Sequence, residues 1–257
     1  MLPTAPAGHR LLEGKTVLVT AAAGTGIGFA TARRCVEEGA IVVVSDVHER
    51  RLQTAADTLE PLMGRRPLAV KCDVTNEAEV QHLFERTIEE TGGLDVLVNN
   101  AGLGGTAQVV DMTDEQWSRV VDVSLTSVFR CTRAALKHML PRGRGSIVNN
   151  ASVLAWRAQA GQAHYAAAKA GVLAFTRCSA VEAAPQGVRI NAVAPSLAMH
   201  PFLAKVTTES LLTELTAREA MGRAAEPWEV ANVIVFLASD YASYLTGEVI
   251  SVSSQHP

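Results

Sequence analysis

Seven short runs of apolar and β-branched residues punctuate the chain, and few of them alternate. They are TVLVT (16–20), IVVVSD (41–46), LAVKCD (68–73), LDVLVNN (94–100), SIVNNAS (146–152), VRINAVAP (188–195) and EVISVS (248–253). A strand with one face in water alternates apolar and polar residues. A nearly continuous apolar run needs cover on both faces, the condition met in parallel sheets. Stretches of helical periodicity separate the runs, near 27–38, 49–60, 76–91, 113–140, 162–184 and 227–239. Gly39 and Gly92 follow two of them and Pro141 stops the longest. Pro227 stands just inside the last, where a missing N–H costs least. Strand and helix in repeated alternation predict an α/β fold: a Rossmann-like, doubly wound parallel sheet of about seven strands flanked by helices. No linker or internal repeat divides the sequence, so residues 14–257 are expected to form a single domain, with 1–13 a flexible leader.

Composition narrows the partners. A formal net charge of −3 gives no electrostatic reason to expect nucleic acid or an anionic membrane surface. No apolar run reaches the ~18 residues of a membrane span, and MLPTAPAGHRLLEG lacks the basic and apolar regions of a secretion signal. Cys35, Cys72, Cys131 and Cys178 are widely spread, without a C-x-x-C pair. They predict reduced thiols in a cytoplasmic protein, with no metal site.

In doubly wound sheets ligands bind beyond the carboxyl ends of the strands, so the residues just after each strand carry the functional information. The first strand runs into TAAAGTGIG (20–28) and then a helix. Gly24, Gly26 and Gly28 let backbone approach a pyrophosphate, and the helix start offers free N–H groups and a positive dipole end. A glycine turn alone is a weak signal, but strand, glycine turn and helix in this order predict a dinucleotide site. Asp46 ends the second strand, where a carboxylate can accept hydrogen bonds from an adenosine ribose and repel a 2′-phosphate. NAD is therefore favoured over NADP, although His48, Arg50 and Arg51 lie nearby. Asp46 could instead cap the following helix. Asp73, after the third strand, has the same two readings, an adenine contact or a cap. Asn99 to Gly102 close the fourth strand and can admit a cofactor ribose.

Tyr165 and Lys169 stand four apart in QAHYAAAKAG (162–171), on one helix face. Such a pair in an alanine-rich helix is commonly surface decoration. Ser152 closes the fifth strand thirteen residues earlier, so hydroxyl, phenol and ammonium can converge on one carbonyl. With GIG, NNAG, NNAS, YAAAK and RINAVAP in this order, the chain resembles the short-chain dehydrogenase/reductase family over about residues 15–255.

The resemblance implies an NAD(P)-dependent interconversion of a secondary alcohol and a ketone. Tyr165 would be the acid or base, Lys169 would stabilise its phenolate and hold the nicotinamide ribose, and Ser152 would hydrogen-bond the substrate oxygen. An unperturbed tyrosine has a pKa of about 10, so a nearby cation matters. The resemblance also implies dinucleotide contacts from Gly24, Thr25, Gly26, Ile27, Gly28, Asp46, Asp73, Val74, Asn99, Ala101, Gly102 and Ala198, together with Tyr165 and Lys169. A homotetramer paired through the long helix (113–140) and the Tyr165 helix follows from the same source. Departures exist. Ser124 replaces the family's asparagine near a proton-relay water, Ser196 stands where Pro-Gly is usual, and His200 replaces a threonine. The first glycine of the turn is displaced: anchored on Thr20 the turn is one residue longer, and anchored on GIG an alanine replaces it.

A substrate lid is expected at about 196–223. Leu197, Met199, Phe202, Leu203, Leu211, Leu212 and Leu215 are apolar there, and Lys205, Arg218 and Arg223 are basic. The same pattern fits an amphipathic helix packed on the sheet. Leu154 and Trp156, just beyond Ser152, are candidate pocket residues. A bulky apolar small molecule fits, with an anionic tail such as coenzyme A. The turn, VSLTS and the SVSSQHP ending resemble actinobacterial members that act in steroid C/D-ring breakdown, which implies a hydroxy-indanone propanoate or its CoA thioester. A 3-oxoacyl-thioester reductase is the alternative, and a catalytically silent dinucleotide-binding redox sensor is the alternative of another class.

Overall fold

Val17 and Val19 of the first strand pack on one side of the sheet and Leu18 on the other, and none of the three has exposed surface. The same division repeats across β1 (Thr16–Val19), β2 (Ile41–Asp46), β3 (Leu68–Lys71), β4 (Val96–Asn99), β5 (Gly145–Asn150), β6 (Val188–Pro195) and β7 (Val249–Val252). The computed structural model describes residues 7–199 and 209–254. Its seven strands form one parallel sheet in the order β3-β2-β1-β4-β5-β6-β7, as the unalternating runs require. Helices α1 (Ile27–Glu37) and α8 (Pro227–Ala238) cover one face; α3 (Glu77–Thr91), α5 (Ser127–Met139) and α6 (Ala163–Ala183) cover the other. Helices α2 (Glu49–Met63), α4 (Asp114–Val121) and α7 (Glu209–Ala217) are the remaining α-helices among the described residues. Strand order reverses between β1 and β4, which opens the crevice where ligands bind in such sheets.

The helix expected over 113–140 runs without a gap but changes pitch at a π-helical turn, Asp122–Thr126, between α4 and α5. Hydroxyls cause the local competition: Ser124 Oγ bonds to both backbone groups of Leu103, and Ser127 Oγ donates to Val123 O at 2.6 Å. The leader expected through residue 13 needs correction: it is docked from Ala7 onward, and residues 1–6 lie outside the described set. Leu12 is fully buried in the α1 layer. The fully buried Glu38 carboxylate accepts from His9 N at 2.8 Å and Leu11 N at 2.9 Å. Arg34 pairs with Glu38 at 2.5 Å and donates to Ala7 O. Burial pushes the Glu38 carboxyl up, but the two amides and Arg34 together outweigh it and hold it below the usual range.

Burial also pushes the Cys35 and Cys72 thiols up to about 12, and raises Cys131 as well. Cys178, on α6, is exposed.

Removing one member of a buried charged pair leaves the other uncompensated. Glu38→Ala should therefore lower unfolding free energy by about 3 kcal/mol in chemical denaturation, with an unchanged dinucleotide dissociation constant, since the clamp lies at the far end of α1.

Candidate active site

The glycine turn leaves β1 with Ala21 in the left-handed region (φ 49°), a conformation usually left to glycine. This settles the displaced glycine: the alanine after Thr20 occupies the position that needs it. Gly24 (φ 122°) carries the turn onward to α1, whose start has no side-chain cap and no acidic residue in its first turn. Its first amides are free for an anion. Gly28 cannot carry a Cβ, which would collide with Asn100 Nδ2 and Ala21 O. That amide nitrogen donates to Thr20 O at 3.1 Å and Ala21 O at 3.0 Å, so Asn100 staples the turn to the end of β4. Thr20 Oγ1 accepts from the backbone of Asn100 and Ala101.

Asp46 is buried at the end of β2 and accepts from Ala23 N at 3.2 Å and His48 N at 2.9 Å. Burial pushes its carboxyl up, while backbone amides and Arg51 pull the other way. It braces the turn rather than capping α2, whose flanking residue His48 makes no side-chain cap. Asp73 Oδ1 accepts from Thr75 N and Thr75 Oγ1, and the cap of α3 is Asn76. The capping alternative thus fails for both carboxylates. Val74 and Ala101 are buried beside these strand ends, and Ala198 forms a bridge with Ala225 beyond β6.

Asn99 requires correction as a cofactor contact through its amide. It points into the core, donating to Thr132 Oγ1 at 3.0 Å and Asn149 Oδ1 at 2.9 Å. The amide at the turn is that of Asn100, and the signal was available in NNAG: of two adjacent strand residues, only one can face each side.

At the end of β5, Ser152 is buried and its Oγ accepts from Leu154 N at 3.2 Å. Across from it, the Tyr165 hydroxyl shares a hydrogen bond with Ser152. Burial raises the phenol above its ordinary value, and that bond acts in the opposite sense. Lys169 is 2% exposed; its Nζ donates to Asn150 O at 2.7 Å and lies 5.6 Å from the Tyr165 ring centroid. Burial lowers its pKa to about 8. A Cβ on Gly102 would stand 3.3 Å from that ammonium, so a bare backbone keeps the approach open. Ser124 is fully buried next to Gly102, and both its hydrogen bonds go to Leu103.

The strap from Leu103 to Ala107 is tied to the start of α6. Gln162 Nε2 donates to Gly105 O at 2.8 Å, and Ala107 N donates to Gly161 O. His164, buried beside Gly105, went unremarked in the sequence, and its Nδ1 has no partner among the described residues. Leu154 and Trp156 line a groove of about 640 Å³ with Ala163, Ala166, Ala167 and Ala170. Ser152, Tyr165 and Lys169 are not among its lining residues, and those alanines turn away from Tyr165 on α6. Of the expected lid, Ser196 donates its N–H to Val252 O and Arg223 pairs with Glu229 at 2.7 Å. His200, Phe202, Leu203 and Lys205 lie outside the described residues, as does the side chain of Leu211.

The family model described as enoyl-(acyl carrier protein) reductase, one of the short-chain dehydrogenase/reductase models, matches residues 21–254. A Mycobacterium tuberculosis protein named (5R,7aS)-5-hydroxy-7a-methyl-1-oxo-2,3,5,6,7,7a-hexahydro-1H-indene-carboxyl-CoA reductase is 66% identical, covering 99% of this chain and 98% of its own length. The chain belongs to the short-chain dehydrogenase/reductase family. A 3-oxoacyl-[acyl-carrier-protein] reductase FabG of Thermotoga maritima is 40% identical over 94% of this chain and 97% of that protein. The crystal structure of a short chain dehydrogenase from Mycobacterium smegmatis superposes with a TM-score of 0.89 at 59% identity, covering 100% of this chain and 99% of that one. This short-chain dehydrogenase/reductase is an oxidoreductase that uses a nicotinamide dinucleotide. The uncapped α1 start, the bare backbone at Gly28 and Gly102, and the buried Asp46 fit that group.

The Lys169 ammonium has a stability signature. Below about pH 8 it is charged in both folded and unfolded chains, and the full burial penalty applies; above 10.5 it is neutral in both. Compared with Lys169→Met, the parent should gain up to about 3 kcal/mol of stability as pH rises through that window. Denaturation of both proteins at several pH values measures the difference.

Proposed function

We propose that the chain interconverts a secondary alcohol and a ketone on a bulky fused-ring substrate of the hydroxy-indanone type, carried as a CoA thioester, with NAD. The observation that carries the chemistry is the convergence of Ser152, Tyr165 and Lys169 at the end of β5, beside the glycine turn. The substrate rests on the relative of 66% identity and its printed activity. When bound, the dinucleotide supplies the acceptor or donor of hydride. In the oxidising direction, Tyr165 takes the proton of the substrate hydroxyl as the carbinol hydrogen departs with its electron pair. In reduction, Tyr165 returns a proton to the carbonyl oxygen. Ser152 holds that oxygen by hydrogen bond as its charge changes. The Lys169 ammonium favours the phenolate by charge and holds the ribose side of the site. Ser124, bound to Leu103, fixes the wall behind Gly102 in this reading.

Asp46 supports NAD over NADP, since a buried carboxylate at the ribose end repels a 2′-phosphate. Asp73 and Val74 would flank the adenine, and Thr25 to Gly28 the pyrophosphate. Three buried, protonated thiols accord with a reducing cytoplasm.

Tyr165→Phe should lower turnover of the indanone thioester by at least about a thousandfold while NAD binding stays within about twofold. Stopped-flow NADH formation and a binding titration check both, with NADP measured alongside. Retained turnover would remove the assignment. Turnover of 3-oxoacyl thioesters without activity on the fused-ring compound would favour the second reading, which the FabG relative of 40% identity supports. No turnover of either with intact NAD binding would favour a silent redox sensor.

We further infer a homotetramer. Ala163, Ala167, Ala170, Ala174 and Val181 form an exposed stripe along α6, and small residues let a second helix approach closely. Trp117 and Phe129 are exposed on α4 and α5. A second exposed apolar patch, Phe236, Tyr241 and Tyr244, sits beside the β7 edge. Two independent self-complementary faces close into a dihedral tetramer. Light scattering should give a tetramer mass for the parent and a dimer for Ala170→Arg; a monomeric parent overturns this arrangement.

A further inference from the structure

Asn150 ends β5 and has no role in the chemistry above. Its orientation is fixed by hydrogen-bond logic. Both hydrogens of Asn100 Nδ2 go to Thr20 O and Ala21 O, so Asn100 must present its oxygen to the other side. That oxygen accepts from Asn150 Nδ2 at 3.0 Å. The backbone oxygen of the same Asn150 accepts from Lys169 Nζ at 2.7 Å. An unbroken path therefore runs from the carbonyls of the dinucleotide turn, through Asn100 and Asn150, to the ammonium beside Tyr165. The remaining oxygen of Asn150 is buried and takes no donor among the described residues. An amide that served packing alone would be better replaced by a hydrocarbon side chain of its size, because an unpaired buried carbonyl costs stability.

We propose that Asn150 is a positioning residue for the reaction, linking the dinucleotide turn to the Lys169 ammonium so that each holds the other in place. The side chain fixes the end of β4, and with it the turn, while the backbone of the same residue aims the ammonium. Loss of the amide frees Asn100 to turn, loosens the two carbonyls that shape the turn, and lets the end of β5 carry Lys169 away from Tyr165. The inference rests on Tyr165 and Lys169 being the acting pair.

Two variants test it. Asn150→Leu keeps the size and removes both polar atoms, and Asn150→Ala removes the side chain. In the full-length protein, each should raise the NAD dissociation constant about tenfold, the effect of one lost buried hydrogen bond. Each should also move the acid limb of the kcat/KM profile for alcohol oxidation to higher pH. The KM for the alcohol should stay near the parent value. A purely architectural residue would lower the melting temperature and the active fraction, yet leave the dissociation constant of the folded protein and the pH limb unmoved. Parent values of both quantities in a folded variant overturn the proposal, and if Asn150→Leu fails to fold, Asn150→Ala decides alone. Tyr165→Phe in the same series separates the two levels. An active Tyr165→Phe removes the reaction centre and this inference with it. An inactive one with parent-like Asn150 variants removes the inference only.

Discussion

Because helices cover both faces of the sheet, a ligand can meet the strands only where they end. That constraint governs where polar groups can stand. Along β1, Val17, Leu18 and Val19 are wholly buried, and the first side chain with hydrogen-bonding capacity beyond them is Thr20. β4 follows the same rule, apolar until Asn99, and β5 has the apolar pair Ile147 and Val148 before Asn149, with Ser146 at its start bonded to Leu237 O. Those two amides bond to each other and to Thr132 and Thr176 on the covering helices, so the buried polar groups are satisfied in a closed set. The set locks the β4 and β5 ends in register, and everything that acts on a ligand stands one residue further out.

The electrostatics of the reaction pair differ from the simplest expectation. A lysine beside a tyrosine suggests a phenol already made acidic. In the protein without ligand the phenol is instead raised by burial, the lysine is lowered by burial, and the ammonium bonds to a backbone carbonyl. Lys169 is buried and still carries its charge below about pH 8. Charge brought by a bound dinucleotide would act there through a low dielectric, where it is felt strongly. In the proposed reaction, proton transfer would then depend on cofactor occupancy.

Much of this was legible in the sequence because the strands carry a strong signal. β2 and β6 fall on their expected ranges, and the others differ by one or two residues at one or both ends. The glycine turn, Asp46, Ser152, Tyr165 and Lys169 could be named because each follows a strand or occupies a helix at fixed spacing. What escaped depends on tertiary partners. The π turn at Asp122–Thr126 needs Leu103 to be near Ser124, and nothing in VSLTS places it there. The docked leader depends on Glu38 finding two amides some twenty-seven residues upstream. The groove that Leu154 and Trp156 line with alanines of α6 forms only once the turn at Val153 packs on that helix. The choice between Asn99 and Asn100 turned on one step of strand alternation.

The unequal burial of the four cysteines also makes the chain its own probe. Cys35, Cys72 and Cys131 are shielded and held as neutral thiols, so an alkylating reagent finds little thiolate on them near neutral pH. Cys178 stands in solvent toward the C-terminal end of the α6 stripe, one helical turn from Ala174. A maleimide fluorophore added to the natural sequence would thus report a single position. Its rate of attachment, followed on dilution, reads out whether that helix surface is covered, without any engineered handle.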